Sequence, residues 1–134
     1  MTAFSLNAIN AARGSAPADA VFSNANIFNP FTCTWDQGTL AVKDGIILGI
    51  GDYEGLKKYD LKGRYIVPGL IDAHVHIESS LLTPYEYARL VAQHGTTTVI
   101  ADPHEIANVA GIAGIDWMLS RRAGLPVDIR YMLP

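Results

Sequence analysis

Between Ala20 and Val67 the apolar residues come in short runs broken by turn chemistry, and the pattern predicts a small β-rich unit. Val21 to Phe28 reads as a strand stopped by Asn29-Pro30, Asp36-Gln37-Gly38 as a second turn, and Thr39 to Lys43 as a strand that meets Ile46 to Ile50 across Asp44-Gly45. A two-residue Asp-Gly loop between apolar runs is a strong hairpin signal, because both turn positions need a positive φ. Ahead of this unit, Phe4, Leu6, Ala8, Ile9, Ala11 and Ala12 predict a short amphipathic helix, broken at Gly14 to Pro17. Trp35 and the phenylalanines read as core.

The stretch from Ile66 to Ser80 is different in kind. An apolar run passes through Pro68-Gly69 and then alternates, with Asp72, His74, His76 and Glu78 separated by Ala73, Val75 and Ile77. On a strand such alternation sends the four polar groups to one face and the apolar ones to the other. Residues i and i+2 lie about 6 to 7 Å apart at Cα, so two imidazoles at that spacing reach one cation at roughly 2.0 to 2.1 Å. Four titratable groups on a covered face would be costly to desolvate unless paired or bound to an ion. The alternative is an exposed strand with its polar face in water.

Beyond His76 the period changes. Thr83-Pro84-Tyr85-Glu86 is a capping box with proline at the first helical position, predicting a helix from Pro84 to His94 that Gly95 ends. Thr96 to Ala101 is a β-branched strand closed by Asp102-Pro103, and a second helix runs from about Glu105 to Arg122 with Ile106, Val109, Ala110, Ala113 and Trp117 on one face. Gly111 to Gly114 reads as close helix packing inside it. Val127 to Leu133 is a third strand. Strand, helix, strand, helix, strand implies α/β architecture with a parallel sheet, either doubly wound or an α/β barrel. In both, chemistry sits at the carboxyl ends of the strands.

Two clusters fall there: His74-Val75-His76-Ile77-Glu78, and Asp102-Pro103-His104-Glu105. Pro103 stops ladder pairing, so His104 and Glu105 are expected on a loop between strand and helix. An acid at a helix start is also favoured by the dipole, and for Glu105 both readings stay open; a helix start gains nothing from a cation such as His104. His94, in a last helical turn, is assigned no chemistry. An H-x-H pair supplies two ligands where catalytic sites take three or more, so further donors are needed.

Composition narrows the field. In 134 residues the apolar fraction is 49%, the charged fraction 17% and the formal charge −3, with lysines and arginines scattered, so a nucleic-acid partner is not expected. No run reaches the 18 or so apolar residues of a membrane span, and no membrane association is expected. The single cysteine, Cys33, precludes an intrachain disulfide and a thiolate zinc site, and suits a cytoplasmic setting. Deaminases that hold zinc with H-x-E and a later P-C-x-x-C are excluded for the same reason. No P-loop, G-x-G-x-x-G or G-x-S-x-G occurs.

Val67 to His76 resembles the first barrel strand of the amidohydrolase superfamily, metal-dependent (β/α)8 hydrolases with a small β-sandwich built partly from the N-terminal segment. His74 to Ser80, together with His94 to Asn108, is similar more narrowly to the adenine deaminases of that superfamily; the likeness runs from about Ala18 to Pro134. It implies conversion of adenine and water to hypoxanthine and ammonia, in purine salvage, by metal-activated hydroxide attack at C6. The implied cofactor is a divalent metal, manganese or iron, with zinc as an option. His74 and His76 match metal ligands; Asp102, His104 and Glu105 match polar residues near the site that would move protons or orient ligands; Glu78 and Ser79 would lie at the substrate rim. Adenine is the implied partner, and a homo-oligomer of a full-length enzyme is an option. The alternatives are a cyclic-amide amidohydrolase of dihydroorotase or hydantoinase type, or a non-catalytic remnant.

The resemblance implies residues 1–66 as a β-rich segment of the composite sandwich and residues 67–134 as the opening of the barrel, truncated after its third strand. Since the family draws further ligands from later strands, the expectation is an N-terminal portion of a longer enzyme, or a truncated product, inactive alone.

Overall fold

The computed structural model describes residues 5–133, which divide into two units, one ending at Pro68 and the other starting at Gly69. Phe4 of the expected first helix lies outside the described residues. The helix itself is α1 (Leu6–Ala12), started by Ser5, whose hydroxyl accepts from the Ala8 amide at 2.9 Å.

In the first unit, β1 (Ala18–Asn29), β2 (Thr34–Lys43), β3 (Ile46–Ile50), β4 (Gly55–Asp60) and β5 (Tyr65–Ile66) form one sheet in the order β3-β2-β1-β4, with β5 also on β1. The Asp44-Gly45 hairpin forms as expected, at φ values of 52° and 74°. The expected turn at Asp36 to Gly38 does not form. Those residues lie inside β2, opposite Ile27, Asn26 and Ala25, and the chain reverses earlier, after Asn29, which pairs with Thr34. Proline at position 30 forfeits its ladder donor, so the reversal belongs there. Gly38 is then a strand glycine in close contact with Ile50, whose Cγ2 lies 3.0 Å from an ideal Cβ, so that a side chain there would press on it. β4 and β5 line the same edge of β1 in parallel, joined by a turn at Lys62-Gly63. Ala18, Val21 and Ala41 are buried in one apolar cluster and Ala25, Ile27 and Leu40 in another.

In the second unit, β6 (Leu70–Val75), β7 (Thr96–Ala101) and β8 (Asp128–Tyr131) form a wholly parallel sheet in chain order. α2 (Pro84–Ala92) joins β6 to β7 and α3 (His104–Ser120) joins β7 to β8, the alternation that the sequence predicts. Thr83 caps α2, accepting from the Glu86 amide at 3.4 Å. Val99, Ala101 and Ile129 of the sheet pack with Ile77, Tyr87, Ala88, Met118 and Val127 into one buried core. This sets the faces: one side of the sheet carries the helices and core, the other the remaining side chains.

Trp35 and Phe31, expected in the core, are exposed, at and beside the reversal between β1 and β2. Two further expectations, on the elements of the second unit, need correction. First, the run Ile66 to Glu78 is not one strand. Val67-Pro68-Gly69 separates β5 from β6, and β6 ends at Val75; Ile77 turns to helical φ/ψ (−59°, −38°), and Glu78–Ser80 forms a 3-10 turn. Second, α3 is bent at Gly111, whose φ and ψ of 60° and −148° no right-handed helix contains. The bend breaks the helical period, so Gly114 and Met118 are buried while Val109 is 84% and Trp117 42% exposed. The expected apolar face therefore does not exist as one stripe. Gly114 does serve close packing, since an ideal Cβ there would lie 2.7 Å from Ile106 Cγ1.

Candidate metal centre

β6 departs from regular alternation where the histidines sit. Asp72 is the register partner of the core residue Val99 and Val75 that of the core residue Ala101, so three steps of β6 oppose two of β7. Asp72 thus falls on the core side, away from the face expected for it. The Tyr87 phenol is pushed up in pKa, first by burial and then by the Asp72 charge. Asp72 also accepts from the His74 amide at 3.2 Å, tying the bulge together.

His74, inside this bulge, and His76, just past it, have their Nε2 atoms 3.1 Å apart. His76 Nδ1 lies 3.1 Å from the Asp102 carbonyl. A carbonyl only accepts, so Nδ1 carries the proton and Nε2 presents its lone pair toward His74, the arrangement common to metal-binding histidines. Asp102 is held in turn by its amide, which donates to the Val75 carbonyl at 2.9 Å. The link joins the ends of β6 and β7.

His104 is the third imidazole of the cluster; its ring centroid lies 4.6 Å from that of His76. Its Nδ1 donates to Asp102 Oδ2 at 3.1 Å. The Asp102 carboxyl is held below the usual carboxylate range, chiefly by this hydrogen bond, with smaller contributions from the His104 and His76 rings, and is therefore ionised at neutral pH. Its other oxygen, Oδ1, is buried without a hydrogen-bond partner. Two donor groups result, His74 with His76 and Asp102, and His76 with His104 and Glu105; in each the ligand atoms lie within 4.8 Å of one another.

The expected loop position of His104 and Glu105 is corrected by the structure: both occupy the first turn of α3, which starts directly after Pro103. That turn has no capping side chain of its own. The 3-10 turn after β6 supplies the partners, Glu78 Oε1 accepting from the Ile106 amide at 3.2 Å and the Ser79 hydroxyl donating to Glu105 Oε1 at 2.7 Å. Glu78 and Ser79, expected at a substrate rim, are thus both bonded to the first turn of α3. Glu78 Oε2 and the Tyr131 hydroxyl are both buried without partners, and Tyr131 is pushed up to about 12, first by burial and then by the Glu78 charge. Sequence reasoning missed Tyr131 as a neighbour of this carboxylate; no local signal marks it. His94 stands outside both donor groups.

The donor set suits a divalent cation. Two nitrogens bound to one ion at roughly 2.0 to 2.1 Å lie about 3 Å from each other, the separation already present at His74 and His76. An unpartnered buried oxygen on Asp102 and a correctly protonated imidazole fit such an ion better than they fit a metal-free polar cluster.

Residues 65–134 match the model of the Amidohydrolase family. The chain belongs to the amidohydrolase family. Among its family relatives is the adenine deaminase of Methanoregula boonei, 67% identical over 129 residues, covering 96% of this chain and 23% of that protein. The adenine deaminase of Geobacillus kaustophilus is 56% identical over 128 residues, 96% of this chain and 22% of its own length. The chain thus spans less than a quarter of the curated relatives it matches. A solved D-aminoacylase in complex with copper chloride superposes at a TM-score of 0.67 with 20% identity, covering 87% of this chain and 30% of that one, a likeness of fold alone. An N-acyl-D-glutamate deacylase from Bordetella bronchiseptica, complexed with zinc and a phosphonate inhibitor, gives a TM-score of 0.54 with 25% identity over 64% of this chain and 19% of that one. The fold is accordingly that of amidohydrolase barrel enzymes, of which this chain carries a part.

Proposed function

We propose that this chain is the metal-binding opening segment of an adenine deaminase, converting adenine and water to hypoxanthine and ammonia in purine salvage. The observation that carries the reading is the His74 and His76 pair: two imidazoles at 3.1 Å, one locked by the Asp102 carbonyl in the tautomer that leaves Nε2 free. The adenine deaminases identical at 56 to 67% over nearly the whole chain support the substrate.

His74 and His76 would hold a divalent ion, manganese or iron in preference to zinc, which supplies Lewis acidity and a water nucleophile at neutral pH. Asp102, ionised, holds His104 through Nδ1 and leaves the His104 Nε2 lone pair to take up or return a proton near the reacting ring. Glu105, kept in place by Ser79, offers a second proton carrier. Ser79 with Glu78 borders this space. Further ligands, and cover for Leu70 and Ile71 of β6, 59% and 65% exposed, would come from the further length that the relatives carry. Residues 1–66 contribute to a composite β-sandwich and 67–134 open the barrel, in a homo-oligomeric, cytoplasmic enzyme.

The test is turnover of adenine, dihydroorotate and hydantoin by this chain and by a chain extended past Pro134, each supplied with manganese or iron. Hypoxanthine and ammonia from the extended form alone support the proposal. Turnover of a cyclic amide instead reassigns the substrate, and turnover of nothing by either leaves a non-catalytic remnant.

A further inference from the structure

α3 carries two of the polar residues of the centre in its first turn, yet nothing on α3 fixes that turn. A helix normally satisfies its third amide with the side chain of the residue preceding the helix, and here that residue is Pro103, which has no acceptor. The amide concerned belongs to Ile106, and it is taken by Glu78 Oε1 at 3.2 Å, from a residue 28 positions earlier in the chain. The other oxygen of the same carboxylate is buried. A side chain so placed, with one oxygen spent on a helix amide and the other enclosed, is poorly disposed to meet a substrate.

We propose that Glu78 is a positioning residue of the metal centre, capping α3 from another element and thereby fixing where His104 and Glu105 stand against His76. The inference rests on the metal-site reading above for its consequence and on the capping geometry for its cause, and the two are separable. The Glu78 acceptor reaches the third amide, the Asp102 carboxylate reaches His104, and the Ser79 hydroxyl reaches Glu105. The cap holds the backbone, and the other two bonds then aim the side chains. Unlike a surface cap, this one couples helix placement to the end of β6, two residues past His76. The property needed of Glu78 is an oxygen acceptor at that point rather than a proton or a negative charge, so glutamine serves and alanine does not.

The experiment compares the chain with its Glu78→Gln and Glu78→Ala variants in two measurements. Amide hydrogen exchange on the metal-free protein should leave Ile106 slow in the parent and in Glu78→Gln, and on the order of 10-fold faster in Glu78→Ala. The amides pairing β7 with β8, in the same unit as Glu78, should stay unchanged and so report that the variant is folded. Cobalt(II) titration, followed by its visible absorption, should show Glu78→Ala weakened about 10- to 100-fold with an altered spectrum, and Glu78→Gln restored to near the parent. Equal exchange at Ile106 in all three proteins overturns the cap. Unchanged cobalt binding in Glu78→Ala, or Glu78→Gln as weak as Glu78→Ala, overturns the positioning role. A parent that binds no cobalt overturns the metal reading, and the exchange data still decide the cap.

Discussion

The Nε2 atoms of His74 and His76 lie 3.1 Å apart while the Nδ1 of His76 is committed to the Asp102 carbonyl. Two ring nitrogens this close repel unless a proton or a cation lies between them. Replacing His74 by alanine should therefore weaken manganese(II) binding by about 100-fold or more, since a direct ligand matters more than the outer partners whose loss costs about 10- to 100-fold. Equilibrium dialysis with metal analysis checks this, and unaltered binding would remove His74 from the site.

Gly111 carries its bend at a φ of 60° and ψ of −148°, a region that side chains with a Cβ rarely enter, although no atom stands within 4 Å of where a Cβ would be. Gly111→Ala should destabilise the second unit by about 1–3 kcal/mol through backbone strain alone. Urea unfolding with an unchanged m-value and a lowered midpoint is the expected result. A neutral outcome would show that the helix straightens freely.

Thr83 accepts from the Glu86 amide at the start of α2. Thr83→Ala should cost about 1 kcal/mol, and Thr83→Ser should recover most of it. The comparison of unfolding midpoints decides, and equal loss in both variants would point to the methyl group instead of the hydroxyl.

The Asp19 carboxyl accepts from Lys43 Nζ at 2.7 Å and from the Asp44 amide at 2.8 Å, and these bonds hold its pKa below the ordinary value. The sign follows from linkage: a depressed carboxylate stabilises the fold above its unfolded pKa of about 3.9, and loses that contribution as pH falls through its lower folded pKa. Lys43 is raised, mainly by the same bond, so its contribution is present below its unfolded pKa and is lost as pH climbs through the higher folded one. Asp19→Asn should flatten the acid limb of the first unit's stability below about pH 4. An acid limb identical to the parent's would show that other carboxylates carry it.

What the sequence determined by itself is whatever a few neighbouring residues decide. Asp44-Gly45 makes its hairpin because the turn needs two positive φ values, Thr83-Pro84 starts its helix, Gly95 marks the end of α2 and its flanking turn, and the β-branched run from Thr96 makes a strand. The same holds for the candidate ligands: H-x-H, followed across one helix by Asp102, His104 and Glu105, is a local pattern, and the parallel sheet brings its two halves to adjacent strand ends. What the tertiary structure alone decided depends on partners distant in the chain. Asp72 left the histidine face because the register of β6 against β7 slips beside it. Strand alternation could not foresee the end of β6, since Ile77 turns into a core built by α2, β7 and β8. Glu78 found its role from an amide on α3 that Pro103 could not satisfy, and the face of α3 was reset by one glycine whose φ is free to turn positive. Periodicity ranks residues by their neighbours along the chain, whereas register, capping across elements and burial are settled only when separate elements meet.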